Sequence, residues 1–249
     1  MGAYISSDRA FFLIGHVLLP LTMPQEFIAR SPWLIVRKMT TNAKPFGKLF
    51  PQKYIPVILA AVLEVGSTLR KKTATDREDW LTKRLHKRLI AVPIFRDGPL
   101  DINLQPEIPP SDPESNSSKG RLDLRVSCGH GYEVYFVLEA KRLRVQSSSS
   151  GKIVPGDGDY VTDGMMRFVT GQYAPYMRAS AMLGYVFDGK TNNARSDIDK
   201  AVQNRAVELK LKHPQRLKPS AIIPSSPVDE TCHDLGEHSF TIYHVFLAV

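Results

Sequence analysis

The sequence predicts an α/β protein, a three-layer α-β-α sandwich around a mixed sheet. Three observations carry this. Segments with apolar residues three and four apart alternate with short runs rich in Val, Ile, Leu, Phe and Tyr, giving the order helix, strand, strand, strand, helix, strand, helix, strand. The run at 132–141 is apolar on both faces, Val134, Phe136 and Leu138 on one and Tyr135 and Val137 on the other. Such a strand belongs in the middle of a covered sheet. The chain has 249 residues, 43% hydrophobic and 23% charged, which suffices for one large domain or one domain with an extension.

Residues 1–72 read as a mostly helical N-terminal extension packed on a core domain of residues 73–249. The apolar run at 11–21 is broken by Gly15, His16 and Pro20. It is too short to span a bilayer and no clear small-residue cleavage site follows, so it reads as buried core. A second apolar cluster lies at 32–36. Ile55, Ile58, Leu59, Val62, Leu63 and Leu69 predict a helix over 54–72, closed by Arg70, Lys71 and Lys72 at its negative end. Thr75-Asp76-Arg77-Glu78 has the form of a capping box and opens a second helix. Leu81, Leu85 and Leu89 are its buried stripe; Lys83, Arg84, Lys87 and Arg88 are its basic flank.

Ile102-Asn103-Leu104 marks a first strand, and 106–120 reads as an exposed loop. Strands at 121–127 and 132–141 flank Cys128-Gly129-His130-Gly131, which has the composition of a hairpin turn. The Ser- and Gly-rich stretch at 146–159 reads as loop. A helix over 160–173 presents Val161, Met165, Phe168 and Val169 inward and stops at Pro175. A buried strand at 181–187 follows, then a helix capped by Ser196-Asp197 and running to about residue 212. A proline-rich loop leads to a last strand at 239–249.

The formal net charge of +8 favours a polyanionic partner, either nucleic acid or an anionic membrane surface. Two cysteines are too few for a disulfide framework and fit a reducing, cytoplasmic setting. Cys128, His130, Cys232 and His233 could be imagined as a zinc set, but their spacing follows no common zinc-finger pattern and turn chemistry accounts for 128–131.

The definite chemistry lies at Glu139-Ala140-Lys141, at the end of the doubly apolar strand. Glu139 and Lys141 are two apart and share a face. Asp123 comes from the preceding strand. If the hairpin register sets Asp123 beside Glu139, two carboxylates can hold a divalent cation while a lysine positions a water beside a phosphate. The plainer alternative is that Lys141 neutralises Glu139 at the sheet edge. Arg142 and Arg144 follow directly, and Lys83 and Lys87 lie on the first core helix. Such groups neutralise phosphates without reading sequence.

These residues resemble the PD-(D/E)XK, or restriction-endonuclease-like, nuclease superfamily. Its core of a helix, a three-stranded meander, a helix and a further strand is similar to the order over 75–188, with an N-terminal helical extension added here. Asp123 matches the family's Asp, and Glu139-Ala140-Lys141 its Glu-x-Lys. Leu122 stands where the family has Pro. Glu78 is the candidate for the acidic residue that many members carry on the first core helix. Gln172 and Tyr176 have the spacing of the Gln-x-x-x-Tyr motif of RecB-like members, with Pro175 inside it; Arg167 is a candidate phosphate contact. The resemblance implies a nuclease acting on DNA, with Asp123, Glu139 and Glu78 as ligands of Mg2+ (Mn2+ able to substitute). Lys141 would orient the attacking water. No helicase, methyltransferase or P-loop motif accompanies the site, which favours a stand-alone restriction or defence enzyme; cutting both strands would call for a homodimer. The alternative is a non-catalytic nucleic-acid-binding or interaction subunit that keeps the fold.

Overall fold

A computed structural model describes residues 5–6, 9–14, 17–20, 50–109, 114–129, 134–175 and 177–249. The chain divides into two units, residues 1–43 and 44–249. In the first, β1 (Ile5–Ser6), β2 (Arg9–Ile14) and β3 (Val17–Pro20) form an antiparallel sheet. The sequence left this apolar run open between short strands and helices, within an extension expected to be mostly helical. The antiparallel pairing of β2 with β3 runs from Phe11 opposite Pro20 to Ile14 opposite Val17. The 32–36 cluster lies outside the described residues.

The second unit begins with α1 (Tyr54–Ser67), which therefore belongs to the larger body and not to an extension ending at 72. Ile55, Ile58, Leu59 and Val62 form its buried stripe as predicted. It ends five residues early because the next turn is organised by Asp76. This buried carboxylate accepts the amides of Lys72 (2.8 Å) and Thr73 (3.2 Å) and pairs with Arg84 (2.6 Å). Burial alone would raise the Asp76 pKa, but the Lys72 amide, Arg84 and Thr73 together bring it down to about 2. Asp76 thus closes the turn before the helix, and the expected capping box does not form. The helix α2 (Glu78–Leu89) has Arg77 at its N-cap with no side-chain cap, and Glu78 is left to point elsewhere.

A short helix α3 (Pro93–Arg96) leads to β4 (Leu100–Leu104). The small pair β5 (Glu107–Ile108) and β6 (Gly120–Arg121) precedes β7 (Leu124–Cys128) and β8 (Tyr135–Leu143). Then come β9 (Val145–Gln146) and β10 (Ile153–Val154), a short hairpin, and a continuous helical rod made of α4 (Asp157–Tyr160), a π-helical turn (Val161–Met165) and α5 (Met166–Val169). The rod starts earlier than predicted and stops at Gly171, whose φ of 74° suits a helix C-terminus before Pro175 is reached. The remaining elements are β11 (Ala179–Val186), α6 (Thr191–Asn204), β12 (Lys218–Pro219), β13 (Val228–Asp234) and β14 (Ser239–Ala248). Ser196-Asp197, expected as a cap, lies inside α6.

Seven strands form one mixed sheet in the order β12-β13-β14-β11-β8-β7-β4, with β8, β11 and β14 parallel and the outer pairs antiparallel. On one face, α2 places Thr82 against Tyr185, hydroxyl to hydroxyl at 3.1 Å, and α1 seats Gly66 on Leu247. On the other, Tyr160 stacks on His244 and Phe246, and Phe168 on Phe240. The structure is thus a mixed sheet between helical layers, the predicted class.

β13 was read as loop because four of its residues, Asp229, Glu230, Thr231 and His233, are polar yet buried. Partners make this tenable. Asp229 pairs with Arg195, and Glu230 accepts from Ser220 (3.0 Å). His233 and His244 join a chain whose direction fixes both tautomers. The Leu209 carbonyl can only accept, so His233 donates from Nδ1 (2.7 Å) and takes the Thr231 hydroxyl proton at Nε2 (2.8 Å). Thr231 then accepts from His244 Nε2 (2.9 Å), and His244 Nδ1 accepts from Tyr160 (2.9 Å).

A candidate metal and phosphate site where two strands part

The β7–β8 ladder runs from Ser127 opposite Tyr135 to Leu124 opposite Leu138, and there it ends. β8 continues to Leu143 along its other neighbour, β11. Glu139-Ala140-Lys141 therefore lies inside the strand, not at its end as the sequence suggested. From residue 139 onward one edge of β8 has lost its partner strand. Alternate amides on that edge need other acceptors. Ala140 donates to Asp123 Oδ2 (2.8 Å), Arg142 to Glu78 Oε2 (3.0 Å) and Arg144 to the Pro155 carbonyl (2.9 Å). Two of these three acceptors are the acidic residues singled out from the sequence.

Asp123 is one residue beyond the last ladder pair, in the position that continues the register to Glu139. The Asp123 charge reaches the Glu139 carboxyl. Glu139 shares a sheet face with Met182 and His244, its lateral neighbours, and so faces the α4–α5 layer. Glu78 comes from α2 on the opposite layer. The gap left by β7 lets both layers reach one strand edge.

Glu139 is 2% exposed. Its Oε1 accepts from Lys141 Nζ (2.8 Å) and Arg167 Nη1 (3.1 Å). Its Oε2 is buried with no hydrogen-bond partner among the described residues. Lys141 Nζ also donates to the Ala140 carbonyl (2.9 Å) and stands 3.8 Å from Glu78 Oε1. Arg167 Nη1 donates as well to the Tyr173 hydroxyl (2.7 Å), which donates to the Arg121 carbonyl (2.9 Å).

Burial pushes the Glu139 pKa up to about 8, with the Asp123 charge adding to the rise and Lys141 opposing it. Burial likewise raises Asp123, against the pull of the Ala140 amide and Lys141. Glu78 rises to about 7, again through burial first, with Lys141 opposing. Burial would lower Lys141, but Glu139 and Glu78 outweigh it and hold the ammonium above its ordinary value. Adjacent carboxyls whose burial and mutual repulsion disfavour ionisation are the pattern of a site short of positive charge.

The donor set can be tested against Mg2+. Asp123 and Glu139 offer neighbouring oxygens, one of them the orphaned Oε2. No group of three His, Cys, Asp or Glu side chains among the described residues converges as a ligand cage. Magnesium does not require one, since it is commonly held by one or two carboxylates and keeps several waters. The pair fits that ion. Glu78, expected as a third ligand, is engaged by the Arg142 amide and Lys141.

The other expected residues divide. Arg167 is in the site, but on Glu139. Arg142 stands beside it, exposed, with its guanidinium on the Asp76 carbonyl (3.3 Å). Arg144 is not available to a ligand: it is paired with Asp188 (2.8 Å) and Asp197. Lys83 and Lys87 face solvent, Lys83 near Asp79 (3.9 Å). Gln172 is exposed, follows the helix end and donates to the Lys119 carbonyl (2.9 Å). Tyr176 and His130 lie outside the described residues. Cys128 and Cys232 sit on β7 and β13, with three strands between them, and the His233 ring is fully engaged, so no zinc set forms among the described residues. Sequence reasoning missed Tyr173, which its place next to Gln172 gave no reason to choose.

Comparison of the chain with protein-family models, with curated proteins and with solved structures found no match.

Proposed function

We propose that the protein is a Mg2+-dependent nuclease that hydrolyses phosphodiester bonds, with DNA as the substrate. The observation that carries this reading is the placement of Asp123 opposite Glu139 where β7 leaves β8, with Lys141 2.8 Å from Glu139. Asp123 and Glu139 would hold the ion, which when bound polarises a phosphoryl oxygen and acidifies a water. Lys141 donates to the attacking water and offsets charge gathering on the phosphate. Arg167 and Tyr173 brace Glu139, and Glu78 keeps Lys141 protonated. Restriction or defence against foreign DNA is the role proposed for such a stand-alone enzyme.

The test is cleavage of DNA by purified protein with magnesium and with chelator. Activity should need the metal and should fall by at least about a hundredfold in Lys141→Ala. Activity indifferent to chelator, or intact in Lys141→Ala, would falsify the assignment. One observation favours the second reading, a non-catalytic nucleic-acid-binding subunit. Glu139 Oε1 already holds two cations, Lys141 and Arg167, which could stand permanently in place of a metal.

A further inference from the structure

Next to the carboxylate pair lies a cleft of about 440 Å³, and Glu78, Lys141 and Arg142 form part of its lining. Lys141 is the common wall, touching Glu139 on one side and the cleft on the other. The β9–β10 hairpin supplies another wall through Val145, Val154, Ser147 and Ser148. That wall is fixed to the open edge of β8. The Arg144 amide bonds Pro155, and Gly156, at φ 78°, packs so closely on the Arg142 carbonyl that a Cβ would have no room. Val154 is 52% exposed, and no packing need accounts for an apolar side chain there.

A cleft meant for phosphates alone would be lined by cations. This one sets Lys141 and Arg142 against Glu78 and Asp159, and adds hydroxyls and an apolar wall. Such a mixture suits a base and sugar attached to a phosphate: apolar contact for the ring, carboxylate acceptors for an amino edge, and a cation for the phosphate. Its volume is in the range of pockets that enclose one small ligand. A base inside a duplex cannot enter such a pocket without leaving its stack.

We propose that this cleft receives an unpaired nucleotide next to the phosphate addressed by Lys141, so that the protein acts on single-stranded nucleic acid or on single-stranded segments of a duplex. The proposal deepens the nuclease reading and rests on it for the position of the phosphate. The experiment measures binding of a labelled single-stranded oligonucleotide and of its duplex, both in chelator, to the wild type and to Val154→Asp. Thermal melts of both proteins accompany it, and Val154 is exposed enough for folding to be unaffected. The single strand should bind at least about tenfold more tightly than the duplex, and Val154→Asp should weaken the single strand about tenfold while leaving the duplex unchanged. Equal affinity for the two forms in the wild type, indifference of the single strand to Val154→Asp, or absence of oligonucleotide binding each overturns the proposal. Cleavage with magnesium is scored separately. A protein that binds single strands through Val154 and cuts nothing keeps the cleft and sinks the nuclease chemistry. One that cuts duplex regardless of Val154→Asp keeps the chemistry and sinks the cleft.

Discussion

Replacing Glu139 by Gln should make the metal-free protein more stable while removing its response to magnesium. The folded Glu139 carboxyl titrates at about 8, against an ordinary value of 4.5. Between those values the unfolded chain has released a proton that the folded chain still holds, so this group's contribution to stability declines as pH rises from 4.5 and is fully lost above 8. At pH 7 the deficit is about 3 kcal/mol, taken at about 1.4 kcal/mol per pH unit. Gln has the shape of the protonated acid, and its carbonyl can still accept from Lys141 and Arg167, so Glu139→Gln should recover most of that deficit. Urea unfolding in chelator, followed from pH 5 to pH 8, should show the wild type falling progressively below the variant. Magnesium at a hundred times its dissociation constant should then restore about 2.7 kcal/mol to the wild type at pH 8 and none to the variant. A variant less stable than the wild type at pH 8 in chelator would refute the reasoning. It would mean that Glu139 is ionised and fully satisfied by Lys141 and Arg167.

Three further outcomes are expected. Tyr173→Phe deletes the hydroxyl between Arg167 and the Arg121 carbonyl; it should cost about 1 kcal/mol in urea unfolding and lower cleavage about tenfold by loosening Glu139, with KM little changed. Arg144→Ala should cost about 2 kcal/mol by stranding Asp188 and Asp197, yet leave oligonucleotide affinity of the folded protein unaltered, in contrast to the role the sequence suggested. Burial holds His233 near 4 and His244 near 3, below the ordinary 6.5. The unfolded chain takes up their protons first, so stability is lost as pH falls below 6.5, by about 2 kcal/mol per ring at pH 5. The site carboxyls act in the opposite sense, so this is measured in Glu78→Gln, Asp123→Asn, Glu139→Gln protein; equal stability at pH 7 and pH 5 there would contradict the buried-chain assignment.

What the sequence disclosed, and what it hid, follow from how each feature is encoded. Runs such as 134–138 and 181–186 are apolar at every position, and no choice of face could hide them. The Asp123–Glu139 register was reachable because both residues lie near the same hairpin. β13 was hidden because its buried residues are polar and are made tolerable by partners far away in the chain, Arg195 on α6 for Asp229 and the Leu209 carbonyl for His233. The same non-local logic misassigned Arg144. A cation three residues beyond Lys141 looks like a phosphate contact until Asp188 and Asp197 are brought to it by tertiary folding. Glu78, singled out from the sequence, accepts the Arg142 amide 64 residues away and does not serve its own helix terminus. Local pattern located the acids; only the parting of β7 from β8 explained why acids are needed there.

The site's asymmetry bears on its purpose. A carboxylate retained only for structure, next to a lysine and an arginine, would be expected to spread their hydrogen bonds over both oxygens. In Glu139 both cations fall on Oε1, and Oε2 is left buried without a partner. An unsatisfied buried acceptor costs about 1–3 kcal/mol, and more when it carries charge. The cost is removed if an ion between Asp123 and Glu139 completes the second oxygen while Lys141 and Arg167 hold the first. On this view the cations do not substitute for the metal; they orient the carboxyl toward it. The two readings of the site therefore separate at one atom. If Oε2 binds an ion, magnesium must release the proton that burial retains on the pair, and proton release on titration with magnesium near pH 7 is the corresponding signal.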